Sequence, residues 1–185
     1  MAELQIEAWP PQPIATDRLV LRAPEASDRD AFIGLLTSPV ARQYLGGPID
    51  QAAVEAAASG SPGRTPGSFV AALKASGAFV GTVGLDRRDS ERPGHVHPDG
   101  LDLEISYALE PTHWGLGYAG EAVQAVLAWA ARTLPDELVV ACTQTANHAS
   151  TSLLQRLGFT ERERFTEFAA EQSLWSRPLT AKENP

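Results

Sequence analysis

The run Trp114-Gly115-Leu116-Gly117-Tyr118-Ala119 lies between a stretch of period two and a stretch of helical period, which restricts this part of the chain to strand, tight turn, helix. Ahead of it, Leu101, Leu103, Ile105 and Tyr107 alternate with Asp102, Glu104 and Ser106, so a strand with one apolar face is expected there. Pro111 stops that strand. Behind it, Ala119, Ala122, Val123, Val126, Leu127 and Ala130 share one side of a helix that starts near Gly117. Glycines let backbone N–H groups come close to a ligand, and a helix start adds unpaired donors and the positive end of the peptide dipoles. A turn of this kind suits a phosphate group.

With 185 residues, 43% of them hydrophobic and 21% charged, the chain is expected to be an arm over residues 1–15 followed by a single domain over 16–180. The net charge of -8 argues against nonspecific nucleic-acid binding and mildly favours cationic or amine partners. Cys142 is the single cysteine, which excludes an internal disulfide, and its place in an apolar run points to packing. No metal-ligand spacing is spelled. His95 and His97 lie in the polar, Pro- and Gly-containing stretch 86–100 without a third ligand nearby, and are read as solvated loop residues. The N-terminus has no basic region before an apolar run, and no apolar stretch is long enough for a membrane span. The cytoplasm is therefore the expected location.

In chain order, Leu19, Val20 and Leu21 read as a strand, and Ser27 as the N-cap of a helix with Phe32, Leu35 and Leu36 inward. Pro39 and Gly46-Gly47-Pro48 break the chain before an Ala-rich helix near 51–58 and a Gly/Ser/Pro loop. Residues 69–73 and 79–85 form a hairpin around Ala75-Ser76-Gly77. Pro135 ends the long helix, and 138–143 is the next strand, parallel to the central one because a helix connects them. Asn147 and Ser150 precede a helix through Leu153, Leu154 and Leu157, closed by Gly158. Sheet segments at 159–165 and Leu174-Trp175 finish the chain.

Four segments together resemble the RimJ/RimL-like branch of the GNAT superfamily of acyl-CoA-dependent N-acyltransferases. They are Thr16-Asp17-Arg18-Leu19-Val20-Leu21-Arg22; Ser38-Pro39-Val40 with Tyr44-Leu45-Gly46-Gly47; Glu104-Ile105-Ser106-Tyr107 through Gly117-Tyr118-Ala119-Gly120-Glu121-Ala122; and Asn147-x-x-Ser150 through Leu157-Gly158-Phe159. The resemblance implies an α/β (α+β) GNAT fold, a mixed central sheet of about six to seven strands flanked by about four helices and splayed between the fourth and fifth strands. It implies acetyl transfer from acetyl-CoA as co-substrate to a primary amine, with a protein or peptide N-terminus and a small amino compound both open, and with no metal, nucleic acid or membrane involved. A monomer and a homodimer are both compatible with it.

By the same resemblance, Trp114, Gly115, Leu116, Gly117, Tyr118, Ala119 and Gly120 hold the cofactor's pyrophosphate. Ala108 and Leu109 pair with its pantetheine amides, and Asn147 bonds the cofactor or positions the turn. Glu104 is the candidate base, against the alternative of a carboxylate merely on the polar face of a strand. Ser150 is the candidate acid or water-positioning group, against the alternative of a helix N-cap. The sequence also departs from the family. Trp114 stands where the superfamily has Gln or Arg, as is usual in this branch, so the phosphate relies on backbone donors, and Gly120 stands where Thr or Ser is common. Ser106 replaces the branch's usual Gly, and Leu154 replaces a frequent tyrosine acid.

A non-catalytic acyl-CoA-binding regulatory module on this fold is the alternative function. Gly115, Gly117 and Gly120 also spell the Gly-x-Gly-x-x-Gly of dinucleotide binding, but residues 111–114 separate the strand from the first glycine and only 65 residues follow Gly120.

Overall fold

The computed structural model describes residues 4, 6, 9, 11–57, 65–134 and 136–179. Among them the chain forms β1 (Ile14–Ala15), β2 (Leu19–Arg22), α1 (Arg29–Thr37), α2 (Gln51–Ala57), β3 (Ser68–Leu73), β4 (Phe79–Arg87), β5 (Leu103–Leu109), α3 (Tyr118–Thr133), β6 (Leu138–Gln144), α4 (His148–Arg156), β7 (Thr160–Glu167) and β8 (Ala170–Pro178). The eight strands make one mixed sheet in the order β1-β2-β3-β4-β5-β6-β8-β7. The strand beyond the expected number is β1, a two-residue edge piece paired as Ile14↔Leu21. Part of the expected Gly/Ser/Pro loop and Pro135 lie outside the described residues. No described helix is long and apolar enough to cross a membrane.

The chain divides into two compact units, the first taking residues 1–6, 85–106 and 127–185 and the second 7–84 and 107–126. In the second unit, β2, β3 and β4 are antiparallel through Leu19↔Leu73 and Ser68↔Gly84. Alternation along β2 buries Leu19 and Leu21, β3 is buried continuously from Phe69 to Ala72, Val80 of β4 is buried, and from the first half of α3 Ala122, Val123 and Val126 are buried as their helical spacing requires. Each such Val or Leu contributes about 1.5–3 kcal/mol when fully buried. Trp9 stacks edge-on against Phe69, ring centroids 5.2 Å apart.

Helix α1 starts differently from the expectation. Ser27 is exposed inside a 3-10 turn, and Asp28 stands at the N-cap position of α1 without a side-chain capping bond, its carboxylate instead closing the 3-10 turn by accepting the Glu25 N–H at 2.7 Å. The Arg22 fork already holds the Asp28 carboxylate with bonds of 2.7 and 2.9 Å, which fixes it where the turn can use it.

In the first unit, β6 and β8 pair antiparallel from Leu138↔Pro178 to Gln144↔Gln172, and β7 pairs with β8. The parallel ladder of β5 with β6 takes in Leu103↔Val139 and Glu104↔Val140, while β5 runs on to Leu109 and β6 to Gln144. The central strand begins at Leu103 rather than Leu101: Leu101 is exposed, and Asp102 is buried as an acceptor for the preceding loop.

Gly81 of β4 lies so close to β5 that a Cβ there would come within 2.3 Å of Ala108 O and 2.7 Å of Leu109 Cα, both backbone atoms. Overpacking against backbone typically costs about 1–3 kcal/mol, sometimes more. Gly81→Ala is therefore expected to lower Tm by about 2–12 °C. An unchanged thermal midpoint by calorimetry would show that this approach is not required.

Candidate functional site

The second unit carries the Gly-rich turn. After β5, a 3-10 turn at Pro111–His113 reverses the chain into Trp114. The Trp114 indole donates from Nε1 to Leu109 O at 2.9 Å, tying the turn back to the strand it left. Glu110 N–H is committed to Val80 O at 2.9 Å, and successive N–H groups of a strand point to opposite edges, so Leu109 N–H faces the edge away from β4.

Gly115 and Gly117 have φ of 74° and 82°, a left-handed conformation that a side chain disfavours. A Cβ on Gly115 would meet nothing within 4 Å, which leaves open space over the turn. Tyr118, Ala119 and Gly120 come before the first backbone bond of α3, Glu121 N–H to Gly117 O at 3.2 Å, so their own N–H groups lack intrahelical acceptors. Leu116 and Trp114 are exposed apolar flanks of the turn.

The same turn is anchored from β2's approach, which the sequence reading did not assign to the site. Glu121 accepts from the Thr16 hydroxyl (2.6 Å), Arg18 N–H (2.8 Å) and Arg18 Nε (2.7 Å). Burial pushes the Glu121 carboxyl up, and the bonds from Thr16 and Arg18 together with the guanidinium charge more than reverse this, so it is held below the usual carboxylate range. Residues separated by 103 positions leave no local sequence signal for such a contact.

In the first unit, the Glu104 side chain lies in a ring of compensated charge. Arg88, buried, donates from Nη1 to Glu104 Oε1 at 2.7 Å and from Nη2 to Pro93 O. Its Nε is buried without a hydrogen-bond partner. Arg92 lies 3.6 Å from Glu104 and grips Glu167 with two bonds, at 2.8 and 2.9 Å. That grip holds the Glu167 carboxyl below the usual range against the opposing effect of burial. Cys142 is two residues along β6 from Val140, the partner of Glu104, and burial with the nearby Glu104 charge pushes its thiol up to about 12. It stays protonated, consistent with the packing role read from its apolar run.

His95 is not a solvated loop residue. Its Nδ1 shares a 2.9 Å hydrogen bond with buried Asp102, whose carboxylate also accepts the N–H of Val96 (2.9 Å) and His97 (3.1 Å). A buried carboxylate needs such donors. His97 extends outward, half-exposed, 4.0 Å from Asp102. Among the described residues no group of three or more His, Cys, Asp or Glu is arranged to hold a metal ion.

On α4, Asn147 is the N-cap: its Oδ1 accepts Ser150 N–H at 3.2 Å. Ser150 is therefore not the cap but a buried residue of the first turn, and Leu154 is buried in the core one turn on. Glu104, Asn147 and Ser150 thus fall in the first unit, and Ala108, Leu109 and residues 114–120 in the second.

The family described as the acetyltransferase (GNAT) domain matches over residues 18–160. An uncharacterised N-acetyltransferase, p20, of Bacillus licheniformis is 27% identical over 154 residues, 78% of this chain and 80% of that protein. Among solved structures, a GNAT-family acetyltransferase from Bacillus anthracis superposes with a TM-score of 0.74 at 18% identity, covering 90% of this chain and 98% of that one. RimL, a ribosomal L7/L12 alpha-N-protein acetyltransferase in complex with coenzyme A, superposes with a TM-score of 0.70 at 17% identity, covering 92% of this chain and all of that one.

The depressed carboxyl of Glu121 sets a pH dependence. A carboxyl whose folded value lies below its unfolded value, about 4.3, stabilises the fold fully above that pH and loses the contribution as pH falls through the folded value. The stability gap between wild type and Glu121→Gln is expected to be widest from about pH 5 upward and to close below about pH 4. Urea midpoints across that range check it, and a gap that does not narrow on acidification would contradict it.

Proposed function

The chain belongs to the GNAT acetyltransferase family, and from that premise we propose that it is a RimJ/RimL-like N-acetyltransferase that moves the acetyl group of acetyl-CoA to a single exposed primary amine. The observation that carries this reading is the open, left-handed turn at Gly115 and Gly117 that feeds the unpaired N–H groups of Tyr118, Ala119 and Gly120. These donors suit a pyrophosphate at a helix start. Bound acetyl-CoA supplies the thioester, whose C–S bond breaks as the C–N bond to the amine forms. Ala108 and Leu109 offer strand backbone to the pantetheine amides, and Leu109 N–H, turned away from β4, is available to the thioester carbonyl. Trp114 contributes by fixing the entry to the turn rather than by touching phosphate.

Glu104 takes the amine's proton, directly or through water, and Ser150 donates to the leaving thiolate or holds the water that does, since the tyrosine position is the buried Leu154. Asn147 shapes the turn that presents Ser150. The Arg88 and Arg92 contacts fix the orientation of the Glu104 carboxylate.

Loss of a general acid or base typically costs ~100-fold to 10,000-fold in rate. Glu104→Gln is expected to lower turnover chiefly at low pH, where the amine is mostly protonated, and Ser150→Ala to lower it throughout. Removing the Glu104 charge also weakens the pairing of buried Arg88, which keeps Glu167 at 3.9 Å, so thermal stability is measured alongside. A Glu104→Gln variant that is less stable but has an unaltered pH–rate profile would return Glu104 to a structural role, and a fully active Ser150→Ala would do the same for Ser150.

The acceptor follows from charge. On the loop after β4, Arg88 and Arg92 face Glu104 and Glu167, Arg87 bonds Glu137, and His95 bonds Asp102. Along 86–100, Asp86, Asp89, Glu91 and Asp99 stand against Arg87, Arg88 and Arg92, so the stretch is nearly balanced in sign and makes no strong acidic trap for a polycation, and the field of the whole chain at -8 is screened over about 10 Å at 0.1 M salt. A peptide N-terminus or small amino compound is therefore favoured over a polyamine. The lone cysteine and the charge support the rest of this reading, a cytoplasmic enzyme, monomer or homodimer, without nucleic-acid or membrane partners. Acetyl-CoA turnover with short peptides against spermidine at two salt concentrations tests it: preferred peptides are expected, and a large, salt-sensitive preference for spermidine would overturn it. CoA binding without turnover on any amine would favour the regulatory module instead.

A further inference from the structure

Arg18 reaches the Gly-rich turn as well as Glu121. Its Nη1 donates to Leu116 O at 2.9 Å, its Cζ stands 4.6 Å over the centre of the Tyr118 ring, and its Nη2 lies 3.3 Å from where a Cβ on Gly117 would sit. Its Nε and backbone N–H are both held by the Glu121 carboxylate, which Thr16 also holds. Thr16 in turn accepts Leu19 N–H at 2.9 Å, so the clamp is rooted at the start of β2.

A trans peptide is planar, with its C=O and N–H pointing in opposite directions. Because Arg18 captures Leu116 O, the N–H of the same peptide, on Gly117, is turned to the side away from Arg18. Both ends of the turn are thus set by one side chain: the 116–117 peptide through Nη1, and the first turn of α3 through Glu121 and Tyr118. The Glu121 carboxylate offsets the guanidinium charge, so the contribution is orientation more than attraction.

We infer that Arg18, locked by Glu121 and Thr16, is a positioning residue for pyrophosphate recognition: it presents Gly117 N–H and the first N–H groups of α3 to the cofactor. This rests on the reading of the turn as the pyrophosphate site. Arg18 acts from behind the backbone, as an orienting group from β2's approach.

The test compares two acetyl donors, acetyl-CoA and acetyl-pantetheine, which lacks the pyrophosphate. For Arg18→Ala the KM for acetyl-CoA is expected to rise about tenfold or more, with the loss in KM rather than kcat and with kcat/KM for acetyl-pantetheine much less affected. Arg18→Lys should fall between, because an ammonium cannot serve Glu121 and Leu116 O with the geometry of a fork, and it serves as the second variant if Arg18→Ala does not fold. Equal losses with both donors would reduce Arg18 to general stability, and an unchanged KM for acetyl-CoA would overturn the inference outright. Calorimetric titration of wild type with CoA separates the two levels. Absence of binding there sinks the pyrophosphate reading itself, whereas binding that both Arg18 variants match sinks only the role of Arg18.

Discussion

A backbone that turns left-handed at Gly115 and again at Gly117, directly before a helix of 16 residues, is the constraint on which the rest of the second unit depends. For a residue with a Cβ that conformation costs of order 1–3 kcal/mol per position, and the turn holds because it is tied on both sides. Trp114 bonds back to Leu109, and Glu121 is pinned by Thr16 and Arg18. Gly81 extends the same logic to β5, whose final residues lie close against a position without a side chain. Recognition of an anion by backbone donors works only if the backbone is held, since N–H groups that must first be ordered lose part of their binding energy to that ordering.

The first unit is organised by compensation of charge. Arg88, Arg92, Glu104 and Glu167 neutralise one another, and buried Asp102 uses its carboxylate to hold His95 and the N–H groups of Val96 and His97. Removing a partner of buried Arg88 or Asp102 leaves a buried charge less compensated, which is destabilising. The arrangement therefore gives the loop after β4 a fixed shape despite its prolines and glycines. It also fixes the carboxylate that the proposed chemistry needs.

Much of this fold was legible because its signals are local. Periodicity located β5 and α3 to within two residues, Gly158 with φ of 79° closes α4 as read, and the hairpin of β3 and β4 pairs as its turn residues imply. What was not legible is carried by partners that no local pattern spells, whether near or far along the chain. Ser27 reads as an N-cap because the bond of Asp28 to Arg22 is not spelled locally, and the cap offered as the alternative for Ser150 is made by Asn147, which only geometry decides. His95 read as a solvated residue because nothing in the sequence shows that Asp102, seven positions on, is buried. The Thr16 and Arg18 anchor belonged to a recognised segment, yet its partner is more than 100 residues away.

The central claim is that backbone donors of the Gly-rich turn, held in place from behind, bind a pyrophosphate. A crystal structure of the protein with acetyl-CoA tests this most directly. The account predicts pyrophosphate oxygens within hydrogen-bond distance of the N–H groups of Gly117, Tyr118, Ala119 and Gly120, with Arg18 still bonded to Leu116 O and Glu121. A cofactor whose pyrophosphate lies elsewhere, or an Arg18 that releases Glu121 to contact it, would contradict the account.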